Sequence, residues 1–135
     1  MIVYIYIYII MFLKKIFFSL VIYSQISNLA VSFNGDGTFY GDGGHGAEGA
    51  CMLQRGFNDI PITVAINQDQ WENGGACGKC VLVQSSSTGI GMTPIRETFK
   101  ATIDNLCPEC HHGDIDIGLN GDGRWKINWD FVPCN

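Results

Sequence analysis

The first thirty or so residues of this 135-residue chain contain no Asp or Glu, and cationic side chains are scarce throughout, 8 Lys and Arg against 13 Asp and Glu. An acidic chain without a basic cluster repels a phosphate backbone, which disfavours nucleic acid as a partner. No Asn-x-Ser/Thr sequon is present, so no N-linked glycan is expected. The glycine-rich stretch Gly35–Gly49 lacks both the Lys-Ser/Thr ending and the following helical pattern of a phosphate loop, which removes that class of nucleotide site. There is no internal repeat and no linker. A chain of 135 residues is enough for one modest domain and too short for two.

What the N-terminus has instead is apolar length. Ile2 to Leu13 is wholly apolar, Lys14 and Lys15 interrupt it, and Ile16 to Tyr23 is apolar again except for Ser19. A membrane-spanning helix needs roughly 20 predominantly apolar residues, and a lysine pair in the middle counts against one. Read from Met11, Met-Phe-Leu-Lys-Lys is a basic n-region, Ile16–Tyr23 an apolar h-region and Ala30-Val31-Ser32 a small-x-small cleavage site. Residues 1–32 are therefore expected to be a secretory signal, with Met1–Ile10 an extension or Met11 the true start. An uncleaved anchor is the competing reading. Residues 33–135 then form a secreted, extracellular domain, free of the membrane, with six basic side chains against 13 acidic ones. A neutral sugar polymer imposes no electrostatic penalty on such a domain.

All six cysteines, Cys51, Cys77, Cys80, Cys107, Cys110 and Cys134, follow the signal. An even count in a small exported chain points to three disulfides, whose connectivity spacing alone leaves open. Three other patterns compete. The pair Cys77-x-x-Cys80 and Cys107-x-x-Cys110 reads as a zinc ribbon in a reducing compartment. Cys107-Pro-Glu-Cys110-His111 matches a haem-attachment motif, and Cys77-Gly-Lys-Cys80 a redox dithiol, although no βαβ pattern surrounds it. Export favours structural disulfides.

Along the exported part, Gly37–Tyr40 reads as a short first strand and Ile60–Ile66 as a buried one with Pro61 at its entry. Asn67–Asn73, polar around Trp71, suits one helical turn. Cys80–Gln84 and Glu97–Ile103 are further strands around the turn-rich Ser85–Pro94, and Ile127–Val132 closes the set, with Ile127, Trp129 and Phe131 on one face. Short strands, glycine-rich turns and little helix indicate an all-β barrel or sandwich. His45 is expected to be solvated, and His111 and His112 to sit on a turn.

Seven pieces in order resemble the first domain of expansins, the barrel shared with barwin-type proteins and one family of endoglucanases. They are Gly37-Thr38-Phe39-Tyr40-Gly41, Gly49-Ala50-Cys51, Thr63–Asn67, Gly75–Cys80, Ala101–Asp104, then Cys107–Cys110 leading to Gly113–Ile117, and Phe131–Cys134. The resemblance implies an all-β, six-stranded double-psi β-barrel stapled by Cys51–Cys77, Cys80–Cys134 and Cys107–Cys110. It also implies a polysaccharide groove lined by Thr38, Tyr40, Asp104 and Asp116, of which Asp116, Asp104 and Thr38 form the catalytic set. Asp116 matches the family's essential aspartate, suited to hydrogen-bond or protonate a glycosidic oxygen. Thr38 would orient it, and Tyr40 offers a ring to a sugar face. Asp114, with the same local chemistry, is expected to be structural and turned away from Asp116. Trp125, beside Gly123 and Arg124, is the expected exposed platform, and Trp129 belongs in the core.

Expansins loosen cell-wall polysaccharide, cellulose and other glucans, without cutting it, and that is the activity the resemblance implies. The related endoglucanases carry a base two residues past an aromatic of the opening strand, and Asp42 stands two residues past Tyr40. An endoglucanase with Asp116 as acid and Asp42 as base is thus one alternative. A barwin-like binding or inhibitor protein is another. Two departures stand out: the second, cellulose-binding domain of expansins has no counterpart in this stretch, and the glycines after Asp116 do not support the helix expected there. No cofactor or metal is expected, and the domain is expected to be a monomer.

Overall fold

The computed structural model describes residues 10–15, 32–41, 49–54 and 56–135. Two compact units divide the chain, Met1–Ala30 and Val31–Asn135. In the first, residues 10–15 are helical. The rest of the expected signal up to residue 31 lies outside the described residues, and so do Asp42 and His45. Among the described residues no helix is long and apolar enough to cross a membrane.

The second unit holds six strands: β1 (Phe33–Phe39), β2 (Thr63–Ile66), β3 (Cys80–Ile90), β4 (Phe99–Leu106), β5 (Ile115–Ile117) and β6 (Arg124–Val132). They close into a barrel in the order β1-β5-β2-β4-β3-β6. The all-β, six-stranded expectation holds. Pairs β1–β5 and β2–β4 are parallel and the others antiparallel. Period-two patterning explains why β6 forms: Trp125, Ile127 and Trp129 are buried, while Arg124, Lys126 and Asn128 face out. Val64, Ile66, Val81, Val83, Ile103 and Ile115 fill the interior with them, each contributing roughly 1.5–3 kcal/mol by leaving water. The barrel has little room. Gly37 of β1 faces inward, and the Cδ1 of Ile95 lies 2.7 Å from where a Cβ would stand on that glycine.

Two strands are longer than composition suggests. β3 runs on to Ile90 through the serine-rich segment read as a turn, because the register slips between Ser85 and Gly89 and then resumes against β6. That bulge absorbs the extra polar residues without ending the pairing. β6 correspondingly starts at Arg124, three residues before the expected Ile127, and so draws Trp125 into its inward-facing set. The expected helical turn is present as Gln68–Trp71, with the Asn67 side chain accepting from the N–H groups of Asp69 and Gln70, both at 3.0 Å.

The disulfides are Cys51–Cys77, Cys80–Cys134 and Cys107–Cys110, the pairing that the resemblance implies. Because the bonds engage all six sulfurs, the zinc, haem and dithiol readings fall away.

Candidate functional site

Strand alternation decides which side chains leave the barrel. On β1, Gly37 and Phe39 face the core, so Asp36, Thr38 and the following Tyr40 project from the outer face. On β5, Ile115 and Ile117 are buried and Asp116 between them is half-exposed. The parallel register sets Thr38 directly against Asp116. Thr38 Oγ1 donates to Asp116 Oδ1 at 2.7 Å.

Beyond β5 lies β2, where Ala65 pairs with Asp116. Ala65 also pairs with Asn105 of β4 while Val64 pairs with Ile103, so the register shift between them places Asp104 at a bulge. Bulges re-aim side chains, and this one sends Asp104 towards Tyr40. The Tyr40 hydroxyl donates to Asp104 Oδ1 at 3.3 Å, while the Tyr40 N–H donates to the Ile117 carbonyl at 3.1 Å. Glycine at 118 makes this possible. A Cβ there would stand 2.9 Å from the Tyr40 hydroxyl and 2.6 Å from Thr63 Oγ1, so any side chain would lift the ring away.

Asp104 is only 2 % exposed. It therefore braces Tyr40 from behind rather than lining an open groove, a correction to the implied set. Its carbonyl accepts from the Cys51 N–H at 3.1 Å. Thr38, Tyr40 and Asp116 are the part of that set that reaches solvent.

Burial pushes the Asp116 carboxyl above the ordinary carboxylate value, Glu109 adds to that push, and the hydrogen bond from Thr38 works against it. Burial likewise raises the Tyr40 phenol to about 12, with the Asp104 carboxylate reinforcing the rise and the Thr63 hydroxyl opposing it. Tyr40 thus stays a neutral donor across the physiological range. It is also the single tyrosine after residue 32, so phenolate absorbance of residues 33–135 near 295 nm reports it alone. The expected midpoint is about 12, against 10.0 for a free phenol. Asp104→Asn should bring it down by removing the neighbouring negative charge; a midpoint at the free value in the parent would show Tyr40 to be solvated instead.

Beside this trio sits a charged cluster. Asp114 is a structural residue: its carboxylate accepts the N–H groups of Asp36 at 2.8 Å and His111 at 3.2 Å. It does not turn away from Asp116, however. Two residues apart on an extended segment, the two share a face, and Arg124 lies 3.7 Å from Asp114 while its charge also acts on Asp116. Asp36 meets Arg124 at 3.1 Å and Lys126 at 2.5 Å. Burial would raise its carboxyl, but these two cations outweigh that and hold it below the ordinary value.

Trp125 is not the exposed platform. It is 6 % exposed, with its indole N–H donating to the Asp122 carbonyl at 3.3 Å. Trp129 is buried in the core, as its alternation with Ile127 suggests. Sequence reasoning missed Glu109 and Arg124 as neighbours of Asp116. For Glu109 a signal existed: a three-residue disulfide spacing forces a tight turn whose middle residues must point outward. Among the described residues no three His, Cys, Asp or Glu side chains gather to hold a metal ion.

No family model and no curated protein sequence matches the chain. Solved structures do. An expansin from Clavibacter michiganensis resembles it both without ligand, at 20 % identity and a TM-score of 0.59, and as a point mutant in complex with cellohexaose, at 18 % and 0.60. Each match covers 76 % of this chain and 51 % of the expansin, so the chain spans about half the expansin's length. A β-1,4-D-endoglucanase from the blue mussel Mytilus edulis matches at 22 % identity and a TM-score of 0.56, over 79 % of this chain and 81 % of the enzyme. The fold is thus the expansin and barwin type of double-psi β-barrel.

Proposed function

We propose that residues 33–135 bind neutral cell-wall polysaccharide, a glucan such as cellulose, across the face of Thr38, Tyr40 and Asp116, and loosen it without net hydrolysis. The observation that carries this reading is the 2.7 Å contact between Thr38 and Asp116. It fixes one oxygen of a half-buried carboxyl whose raised pKa lets it keep a proton where a free carboxyl has lost it. Such a group gives its proton to a sugar hydroxyl or a glycosidic oxygen, which loosens the hydrogen bonds that this oxygen makes to a neighbouring chain. Tyr40 adds a ring with a neutral hydroxyl at its rim. The same barrel in an expansin solved with cellohexaose supports a sugar chain as the ligand class. The domain would be exported by residues 1–32 and act as a monomer, without a cofactor, in an oxidising space that preserves its disulfides.

Hydrolysis is the second reading, and Glu109 is the observation that favours it. Cutting a glycosidic bond takes two carboxyl groups, one on either side. Asp42 lies outside the described residues; Glu109 is exposed and acts electrostatically on Asp116. Incubation with cellulose, xylan and chitin, reading both sedimented protein and new reducing ends, separates the readings. Loosening predicts binding to glucan and weakening of cellulose paper with no new reducing ends. Reducing ends that vanish in Glu109→Gln would favour hydrolysis, and retention on chitin alone would sink both.

A further inference from the structure

β1 and β5 run parallel and finish at the same end of the barrel. Phe39, Ile62, Ile95, Phe99 and Ile117 line a cavity there of about 350 Å³. Ile95 also reaches Gly37 of β1, its Cδ1 lying 2.7 Å from where a Cβ would stand on that glycine. The strands that build the outer face also build the cavity: Phe39 stands between Thr38 and Tyr40, and Ile117 between Asp116 and Gly118. One face of each strand presents polar groups outward while the other presents apolar ones to the mouth.

The size fits a small molecule, since ligand pockets begin at roughly 300 Å³ and an apolar cavity of about 150 Å³ already admits benzene. Two aromatic side chains, from β1 and β4, contribute to the walls. The rim carries Arg96, Glu97 and Asn120. Arg96 and Glu97 are exposed, opposite in charge, and absent from the ion pairs among the described residues. Among the described residues this rim carries one charge of each sign, which gives no advantage to an anion or a cation. It does offer a donor and an acceptor to a neutral polar group.

We infer that this barrel mouth is a binding site for a small neutral phenol, with its ring among Phe39, Ile95 and Phe99 and its hydroxyl at the Glu97 and Asn120 rim. The site is separate from the sugar-binding face. Its occupant contacts Phe39 and Ile117, which back Thr38, Tyr40 and Asp116.

The probe is 4-ethylphenol, titrated into the 15N-labelled protein at pH 6, where the phenol is neutral. Saturable amide shifts confined to residues 39, 95–99 and 117–120 are expected, with a dissociation constant of about 1 mM or tighter. Leu119→Trp should weaken it at least about tenfold by filling the mouth; Leu119 is 41 % exposed, so the core is not disturbed. Glu97→Gln, a surface change that leaves packing intact, should weaken it several-fold, and Asp116→Asn should leave it unchanged. Absence of saturation by about 10 mM, shifts centred elsewhere, or equal binding of phenylacetate would each overturn the inference. None of these outcomes depends on whether the chain acts on polysaccharide.

Discussion

Asp116→Asn is expected to lower loosening of cellulose by about 100-fold or more, the lower end of what a positioned proton donor contributes. Asparagine keeps the size of the side chain and an oxygen that still accepts from Thr38, so the 2.7 Å contact can persist. What it cannot do is release a proton. If Asp116 served only as a hydrogen-bonding group, the amide would retain most of the activity, and an Asn variant within threefold of the parent would end the proposed role. Creep of wall strips and weakening of cellulose paper are the readouts, with sedimentation on cellulose as a control that binding survives.

The same carboxyl carries a pH signature of known sign. Its folded-state pKa is raised above 3.8. Activity that needs the proton is therefore full at acidic pH and falls as pH rises through that raised value. Thr38→Val should move the fall to higher pH, because the hydrogen bond it removes favours the ionised form. Stability runs in the same direction. Between the unfolded and folded pKa the native protein holds a proton that the unfolded chain has released, so stability declines with pH over that interval. Asp116→Asn abolishes that decline, and the variant should be no less stable than the parent at neutral pH.

The contact between Thr38 and Asp116 was legible because both residues lie in short segments whose order along the chain is distinctive, and a parallel register then does the rest. The disulfide pairing became legible through the same ordered motifs. Asp104 was not, since its burial depends on a bulge set by how β4 meets β2, and neither strand's own sequence contains that register. Trp125 was misread for a related reason. Next to Gly123 and a charged residue it looks like a loop tip, yet Gly89 of β3 lets the two backbones close up. A Cβ on Gly89 would stand 2.7 Å from the Trp125 Cα, so pairing persists and the indole turns inward. Alternation along one strand identifies faces well; it does not say where the strand begins. Glu109 became visible only once the Cys107–Cys110 turn had a place beside β5.

Full reduction of the domain is expected to unfold it, and removal of single disulfides should rank by loop length. Closing a loop restricts the unfolded chain, and the restriction grows with the logarithm of the number of residues enclosed. The separations are 54 for Cys80–Cys134, 26 for Cys51–Cys77 and 3 for Cys107–Cys110. In the chain-entropy account these correspond to about 4, about 3.5 and about 2 kcal/mol. Their combined effect is comparable to the whole stability of a small domain, about 5–15 kcal/mol. Double Cys→Ala variants followed by urea unfolding would test the order. The shortest loop is the informative case. Because Cys107–Cys110 stabilises least but holds Glu109 beside Asp116, its removal should leave the barrel folded. It should lower the pKa of Asp116 by releasing a neighbouring negative charge, and so move the fall in activity to lower pH. Loss of the fold would place that turn among the barrel's supports, and a folded variant with an unchanged pH profile would place Glu109 outside the site.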